Sequence, residues 1–314
     1  MEIAEAIATL SANPDYRVLH RLVVADEHVF ADNVTGESCA RLAVIDTETT
    51  GFKPDLGARI IDLAIATCEY GLESGTLYRV VDRYESLEDP EEPIPPEITR
   101  LTGITDDLVH DHHIDEAGIA RAIDRVGLCI CHNAYFDRTF LESRFPAFAR
   151  KRFACSLNEV PWDQWDMKSS KLDYLGYRFG MFHEAHRARA DVDMLLALLA
   201  QKVPGGDGTV LSLLLASARA PSWRIHAIGL PIENKDYASA RGYRWNDGSL
   251  KTPKAWWLET RDEKAEREFL ARVGCRKPLV VEQTALDRYR PLAVRVEEER
   301  DRAASGADAG PEKS

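Results

Sequence analysis

The chain has 314 residues, of which 45% are hydrophobic and 29% charged, and its formal net charge is -12. That length admits about two domains of roughly 100–200 residues each. The acidic balance excludes a protein that coats nucleic acid through broad positive charge, and no run of about 18 apolar residues predicts a membrane span.

Residues 1–40 read as a short helical lead-in. Ile3, Ile7 and Leu10 recur at helical spacing, and Asn13-Pro14-Asp15 breaks the pattern. Arg17 to Phe30 fits either a further small helix or a strand. With two basic and seven acidic residues the lead-in is no nucleic-acid arm. The N-terminus Met1-Glu2-Ile3-Ala4-Glu5 lacks the basic start of a secretory signal.

Residues 41–220 read as one α/β unit. Leu42 to Asp46 is a short apolar run, as in a buried strand, and Arg59 to Glu69 and Thr76 to Tyr84 are two more strands. Pro96 suits the first turn of a helix ending near Gly103. A helix over Asp115 to Val126 precedes a strand over Gly127 to Cys131. Further helices span Ala134 to Arg144, Ala190 to Val203 and Thr209 to Ala220, with Val192, Leu195, Leu196 and Leu199 on one face of the second. This order predicts a mixed sheet flanked by helices. The six cysteines lack a Cys-x-x-Cys pair and read as reduced thiols. Zinc at Cys129-x-Cys131-His132 is set aside, because the two cysteines alternate along an apolar strand and no second ligand pair follows. A cytoplasmic protein with no membrane partner is expected.

Residues 221–280 differ in character. They hold four of the six tryptophans and twelve Lys/Arg against eight Asp/Glu, which predicts a separate small α+β module. Gly242 to Gly248 and Lys254 to Leu258 read as a hairpin, and Thr260 as the cap of a helix over Arg261 to Val273. Residues 281–314 read as a charged, disordered tail.

Three acidic islands carry the chemistry. Asp46 and Glu48 stand two apart at the end of a strand, so both side chains lie on one face. Two such acids either bind a cation or stay solvated at the strand end. Hard oxygen donors favour Mg²⁺ or Mn²⁺ over zinc. Asp137 falls in the first turn of a helix that follows His132-Asn133. His186 and Asp191 lie five apart across a loop-to-helix junction.

Together the islands Asp46-Thr-Glu48-Thr-Thr-Gly51, His132-Asn-Ala-Tyr-Phe-Asp137 and His186-x-Ala188-x-x-Asp191 resemble the DEDDh family of 3′–5′ exonucleases, of the ribonuclease H-like superfamily. The resemblance covers about 41–203 and includes Leu101-Thr102-Gly103-Ile104-Thr105 between the first two islands. It implies two divalent cations. Asp46, Glu48 and Asp191 would bind the first, and Asp46 would be shared with the second, beside Asp137. It implies His186 as general base and a 5′-mononucleotide product. It further implies that Thr47, Thr49, Leu101, Thr102, His132 and Phe136 line the substrate, although Leu101 and Phe136 also suit plain core packing. The partner is then a nucleic acid with a free 3′ end, DNA favoured over RNA; association with a DNA polymerase and a stand-alone repair exonuclease stay open as alternatives, since no clamp-binding segment follows the catalytic domain. RNA trimming and a non-catalytic polymerase scaffold are the competing readings, and the intact set of acids argues against the scaffold. In the C-terminal module, Arg241, Tyr243, Arg244, Trp245, Lys254 and Trp256 interleave charge with aromatic surface. They suit either a single-strand grip or the module's own core.

Overall fold

The computed structural model describes residues 2–248 and 253–290. The chain divides into two compact units, Met1–Ser217 and a second beginning at Ala218.

The first unit contains, in order, α1 (Ile3–Ser11), β1 (His20–Arg21), β2 (Cys39–Thr49), β3 (Ile60–Gly71), β4 (Leu77–Leu87), α2 (Pro96–Thr102), α3 (Asp106–Val109) and α4 (Glu116–Ile123). There follow β5 (Val126–Cys131), α5 (Ala134–Arg144), β6 (Phe153–Cys155), α6 (Ser156–Glu159), α7 (Leu172–Arg178), β7 (Met181–Phe182), α8 (Ala188–Ala200) and α9 (Val210–Arg219). Five strands form a mixed sheet in the order β4-β3-β2-β5-β6. β2 runs antiparallel to β3 and parallel to β5. Leu42 to Ile45 and Ile60 to Ala66 are buried throughout, as strands covered on both faces must be.

One detail of register creates the site. Pairing of β2 with β5 ends at Val44↔Ile130, whereas pairing with β3 continues to Thr49↔Ile60. The last residues of β2 therefore run past the end of β5, where the chain turns into α5. This leaves a crevice beyond the carboxyl ends of parallel strands, the usual ligand position in such sheets. α8 packs against β2 and β3. It buries Val192, Leu195, Leu196 and Leu199, and also Met194 and Leu198.

Several boundaries move. Val126 does not continue the fourth helix but opens β5, and Asp115 caps that helix by accepting from Ala117 N and Gly118 N. The lead-in is part of the first unit rather than a separate element: His20 and Arg21 pair with β7. Cys129 and Cys131 are fully buried in β5.

The second unit contains β8 (Ser222–Ala227), α10 (Lys235–Ala240), β9 (Arg244–Asn246), β10 (Ala255–Thr260), α11 (Glu263–Arg272) and β11 (Leu279–Gln283). Its antiparallel sheet has the order β11-β8-β10-β9, and the hairpin registers Trp245 against Trp256. Asp262, not Thr260, caps α11 by accepting from Ala265 N at 2.9 Å, while the Thr260 hydroxyl accepts from Asp262 N. The tail does not begin at 281, because β11 crosses that point and Arg288 and Arg290 are buried. The rest of the expected tail, 291–314, lies outside the described residues. Ile225, Ala227, Ala238, Tyr243, Phe269, Leu270 and Cys275 form the core of this unit.

Leu270 is fully buried there. Leu270→Ala should lower the stability of the second unit by about 2–5 kcal/mol through lost burial and an unfilled cavity. Urea unfolding followed by tryptophan fluorescence reads this, and an unchanged midpoint would contradict the assigned core.

Candidate active site

The acids gather at the end of β2. One carboxylate oxygen each from Asp46, Glu48 and Asp191 lies within 4.8 Å of the others. Asp191 arrives from the first turn of α8. Asp137, in the first turn of α5, sits beside them and is buried. Its Oδ1 accepts from Thr47 N at 3.1 Å and from Thr47 Oγ1 at 3.0 Å. Thr47 is three residues beyond the last β2–β5 pair, so its N–H has no neighbouring strand on that side. Asp137 takes the place of the missing ladder acceptor.

Burial and mutual repulsion dominate the electrostatics. Burial, then Asp137, Asp191, Glu48 and Asp62, hold the Asp46 carboxyl well above its ordinary range. Burial, then Asp191 and Asp62, lift Glu48 to about 8. Burial lifts Asp137 to about 7 against the opposing pull of the Thr47 hydrogen bonds. Carboxylates placed this close in a covered site favour either a proton or a cation. Three converging oxygen donors are the set a hard divalent cation takes.

A fifth carboxylate escaped the motif reading. Asp62 is the Cα partner of Glu48 across the β2–β3 ladder. Its Oδ2 accepts from Arg187 Nε at 3.1 Å and from Ala188 N at 3.4 Å. Arg187 thus brings a cation to the edge of the cluster and ties the start of α8 to β3. No short-range spacing could have signalled Asp62, because only strand register brings it to Glu48.

The two histidines divide their roles unexpectedly. His186 is exposed and adopts a left-handed backbone, φ 64°. Its N–H donates to Asp191 Oδ2 at 2.9 Å. The imidazole nearest to Asp191 is that of His183, whose Nε2 lies 2.9 Å from Asp191 Oδ1 and whose side chain is 5% exposed. His183 belongs to no motif; the short strand β7 just before it sets its position.

The expected substrate contacts separate into two groups. Leu101 is 52% exposed, and Phe136 is half-buried with its ring 4.9 Å from Phe140. Both face open space in part. Thr47, Thr49, Thr102 and His132 are instead committed within the protein. Thr49 Oγ1 donates to Gly51 O, and Thr102 Oγ1 donates to Ile98 O while accepting from Ile104 N. His132 contacts Ser156 Oγ at 2.8 Å and Ser170 O at 2.7 Å. The carbonyl can only accept, so Nε2 carries the hydrogen, and burial holds the His132 pKa down. Beyond Thr49 a cleft of about 510 Å³ includes Lys53 and Arg59 in its wall, two cations outside all three islands.

In the second unit, Arg241 pairs with Glu266 at 2.8 Å, and Tyr243 is buried with its hydroxyl donating to Glu266 at 3.1 Å. Tyr243 serves the core of that unit, whereas Arg241 stays exposed while it pairs with Glu266. Trp245 is 51% exposed with its ring 5.7 Å from Trp256, and Arg244 and Lys254 are exposed.

A mixed sheet flanked by helices brings acids from β2, α5 and α8 together at the end of β2, the arrangement that the resemblance to the DEDDh exonucleases leads one to expect. The profile of the exonuclease family RNase_T matches residues 43–199, and the chain belongs to that family. It is 29% identical over 174 residues to a "DNA polymerase III PolC-type" of Caldanaerobacter subterraneus subsp. tengcongensis, covering 50% of this chain and 11% of the relative. It is 31% identical over 230 residues to the "3'-5' exonuclease DinG" of Bacillus subtilis, covering 68% of this chain and 24% of the relative. It is 28% identical over 163 residues to the "DNA polymerase III subunit epsilon" of Treponema pallidum, covering 49% of this chain and 72% of the relative. The chain thus spans about a tenth of the PolC relative and a quarter of DinG. No helix among the described residues is long and apolar enough to cross a membrane.

Raised carboxylate pKa values fix the sign of a pH effect. The folded, metal-free protein keeps protons on Glu48 and Asp137 that the unfolded chain releases. That stabilisation is complete below the ordinary carboxylate range and is lost as pH rises through about 7 to 8. In EDTA, the melting temperature should therefore fall between about pH 6 and about pH 9, and Mg²⁺ should raise it mainly at the higher pH. Calorimetry with and without Mg²⁺ checks this, and a midpoint indifferent to both would remove the cluster as a cation site.

Proposed function

We propose that the chain is a 3′–5′ exonuclease that hydrolyses the last phosphodiester of DNA with a single-stranded 3′ end, in proofreading or repair. The convergence of Asp46, Glu48 and Asp191 within 4.8 Å carries this reading. Two divalent cations, Mg²⁺ or Mn²⁺, would neutralise the acids and acidify a water at the phosphodiester. Asp46, Glu48 and Asp191 would hold the first, and Asp46 with Asp137 the second.

The side chains of the chain do the rest. Thr47 keeps Asp137 turned toward the cluster. His186, exposed at the entrance, takes the proton of the attacking water. The leaving group is the 3′-oxygen of the penultimate nucleotide, and a 5′-mononucleotide departs. Leu101 and Phe136 offer apolar surface to the terminal bases, which every base can use. Lys53 and Arg59 draw phosphates toward the cleft. The names of the relatives, DNA polymerase III and DinG, favour DNA and make a DNA polymerase the partner to seek. In the second unit, Trp245 with Arg244, Lys254 and Trp256 would grip a single strand by stacking and charge.

Incubation of 5′-labelled single-stranded DNA, 3′-overhang DNA and RNA with Mg²⁺, Mn²⁺ or EDTA should give stepwise 3′ shortening of DNA that EDTA abolishes. RNA shortened in preference to DNA would reassign the substrate, and no shortening with either metal would sink the reading. Asp46→Ala should abolish activity in a folded protein. His186→Ala should lower kcat by roughly 10²–10⁴-fold. Trp245→Ala should weaken single-strand binding by about 1–3 kcal/mol if the second unit stacks on bases. An unchanged Kd by fluorescence anisotropy assigns Trp245 to packing alone.

A further inference from the structure

The match to the exonuclease family begins at residue 43 and leaves the lead-in unexplained. The structure gives that segment a place. Arg17 donates to Arg178 O at 2.5 Å, and its guanidinium lies 4.3 Å from the centre of the Tyr177 ring. β1 pairs in parallel with β7, with His20 N donating to Gly180 O at 2.8 Å and Leu22 N to Phe182 O at 2.9 Å. Arg21 forms an ion pair with Glu184. Further on, Arg189 donates to Val24 O at 3.3 Å and to Asp26 Oδ1 at 2.8 Å. Past that point the lead-in is fastened to β4: Arg83 donates to Ala25 O, Val80 N to His28 O, and Phe30 N to Tyr78 O.

These contacts fall on both sides of one turn. Residues 178–184 are gripped before it and Arg189 after it. The turn between them carries His183 and His186, and Asp191 follows in the first turn of α8. It includes a non-glycine residue with φ 64°, a conformation that persists only when its surroundings impose it. We propose that residues 17–26 form a strap that positions the turn 183–187, and through it Asp191 and His186, for the reaction. The strap rests on the exonuclease reading for its purpose, though not for its geometry. It makes the lead-in a positioning element of the active site that lies outside the residues the family match covers.

The contacts are unequal. Arg21 and Glu184 are 60% and 79% exposed, and so open a pair contributes little. The backbone ladder to β7 carries the strap, because Asp26 is likewise 79% exposed and Arg189 is also held by Glu85 and Asp193. Leu22→Pro removes the N–H that meets Phe182 O, and Arg21→Ala and Asp26→Ala, at the two exposed ion pairs, serve as near-silent controls.

Hydrogen exchange by mass spectrometry on the full-length, metal-free protein reads the turn directly. Leu22→Pro should speed exchange over 180–191 by about tenfold or more, with β2 and β3 still protected. On 3′-overhang DNA with Mg²⁺, kcat should fall by roughly 10–10²-fold with KM changed less than about twofold. Leu22→Ala, which keeps the N–H to Phe182 O, should leave both near wild type. Unchanged exchange over 180–191 in Leu22→Pro overturns the strap, and so does faster exchange with a wild-type kcat. If the wild-type protein cleaves nothing, the nuclease reading fails by itself, and exchange still decides whether the strap holds the turn.

Discussion

Negative charge concentrated at the end of β2 is the constraint around which the first unit is arranged. Asp46, Glu48, Asp62, Asp137 and Asp191 come from two strands and two helices, and burial, with the repulsion of these neighbours after it, raises the carboxyls of Asp46, Glu48 and Asp137. The fold relieves this unevenly. Asp62 receives Arg187, Asp137 receives two donors from Thr47, and Asp191 receives His183 and the His186 backbone. The largest charges acting on Asp46 are all negative. A site built for stability alone would have given its most central acid a cation or replaced it with an apolar residue. Leaving that acid to be neutralised from outside is what a cation-dependent hydrolase requires.

The motifs could be read from the sequence because each is short and its geometry is local. Two residues along a strand put Asp46 and Glu48 on one face, and a helix start points Asp137 and Asp191 inward. The proposed contact residues share one limit to their legibility. Thr47, Thr102, His132, Arg241 and Tyr243 are polar residues at suggestive positions, but residue type does not reveal which partner a donor will find. In each case that partner was internal: Asp137, Ile98, Ser170 and Glu266. His183 and Asp62 were invisible for the complementary reason. Each reaches the site through pairing between distant segments, which periodicity within one window cannot record.

The same distinction governs the second unit. Its alternation and its basic, tryptophan-rich composition identified a hairpin, but not which face the hairpin buries. Trp256 packs against the core beside its ladder partner Ala227, while Arg224, three residues before Ala227 on β8 and so on that strand's other face, is fully buried and pairs with Glu259 at 2.8 Å. Part of the local positive charge is therefore spent inside the unit. Of the residues singled out there, Trp245, Arg241, Arg244 and Lys254 reach the surface.

Register links these observations. Because β5 stops pairing at Val44 while β3 continues to Thr49, one edge of β2 is left open over its last residues. Thr47 N–H then needs an acceptor, and Asp137 supplies it, which draws the helix start of α5 against the strand carrying Asp46. On the opposite edge the continuing ladder carries Asp62 to Glu48, and Asp62 in turn reaches Arg187 and Ala188 at the start of α8. Two strand pairings of unequal length therefore bring two helix N-termini to one place. Those N-termini face the acids with N–H groups and positive dipole ends, which lessens the repulsion before any cation arrives.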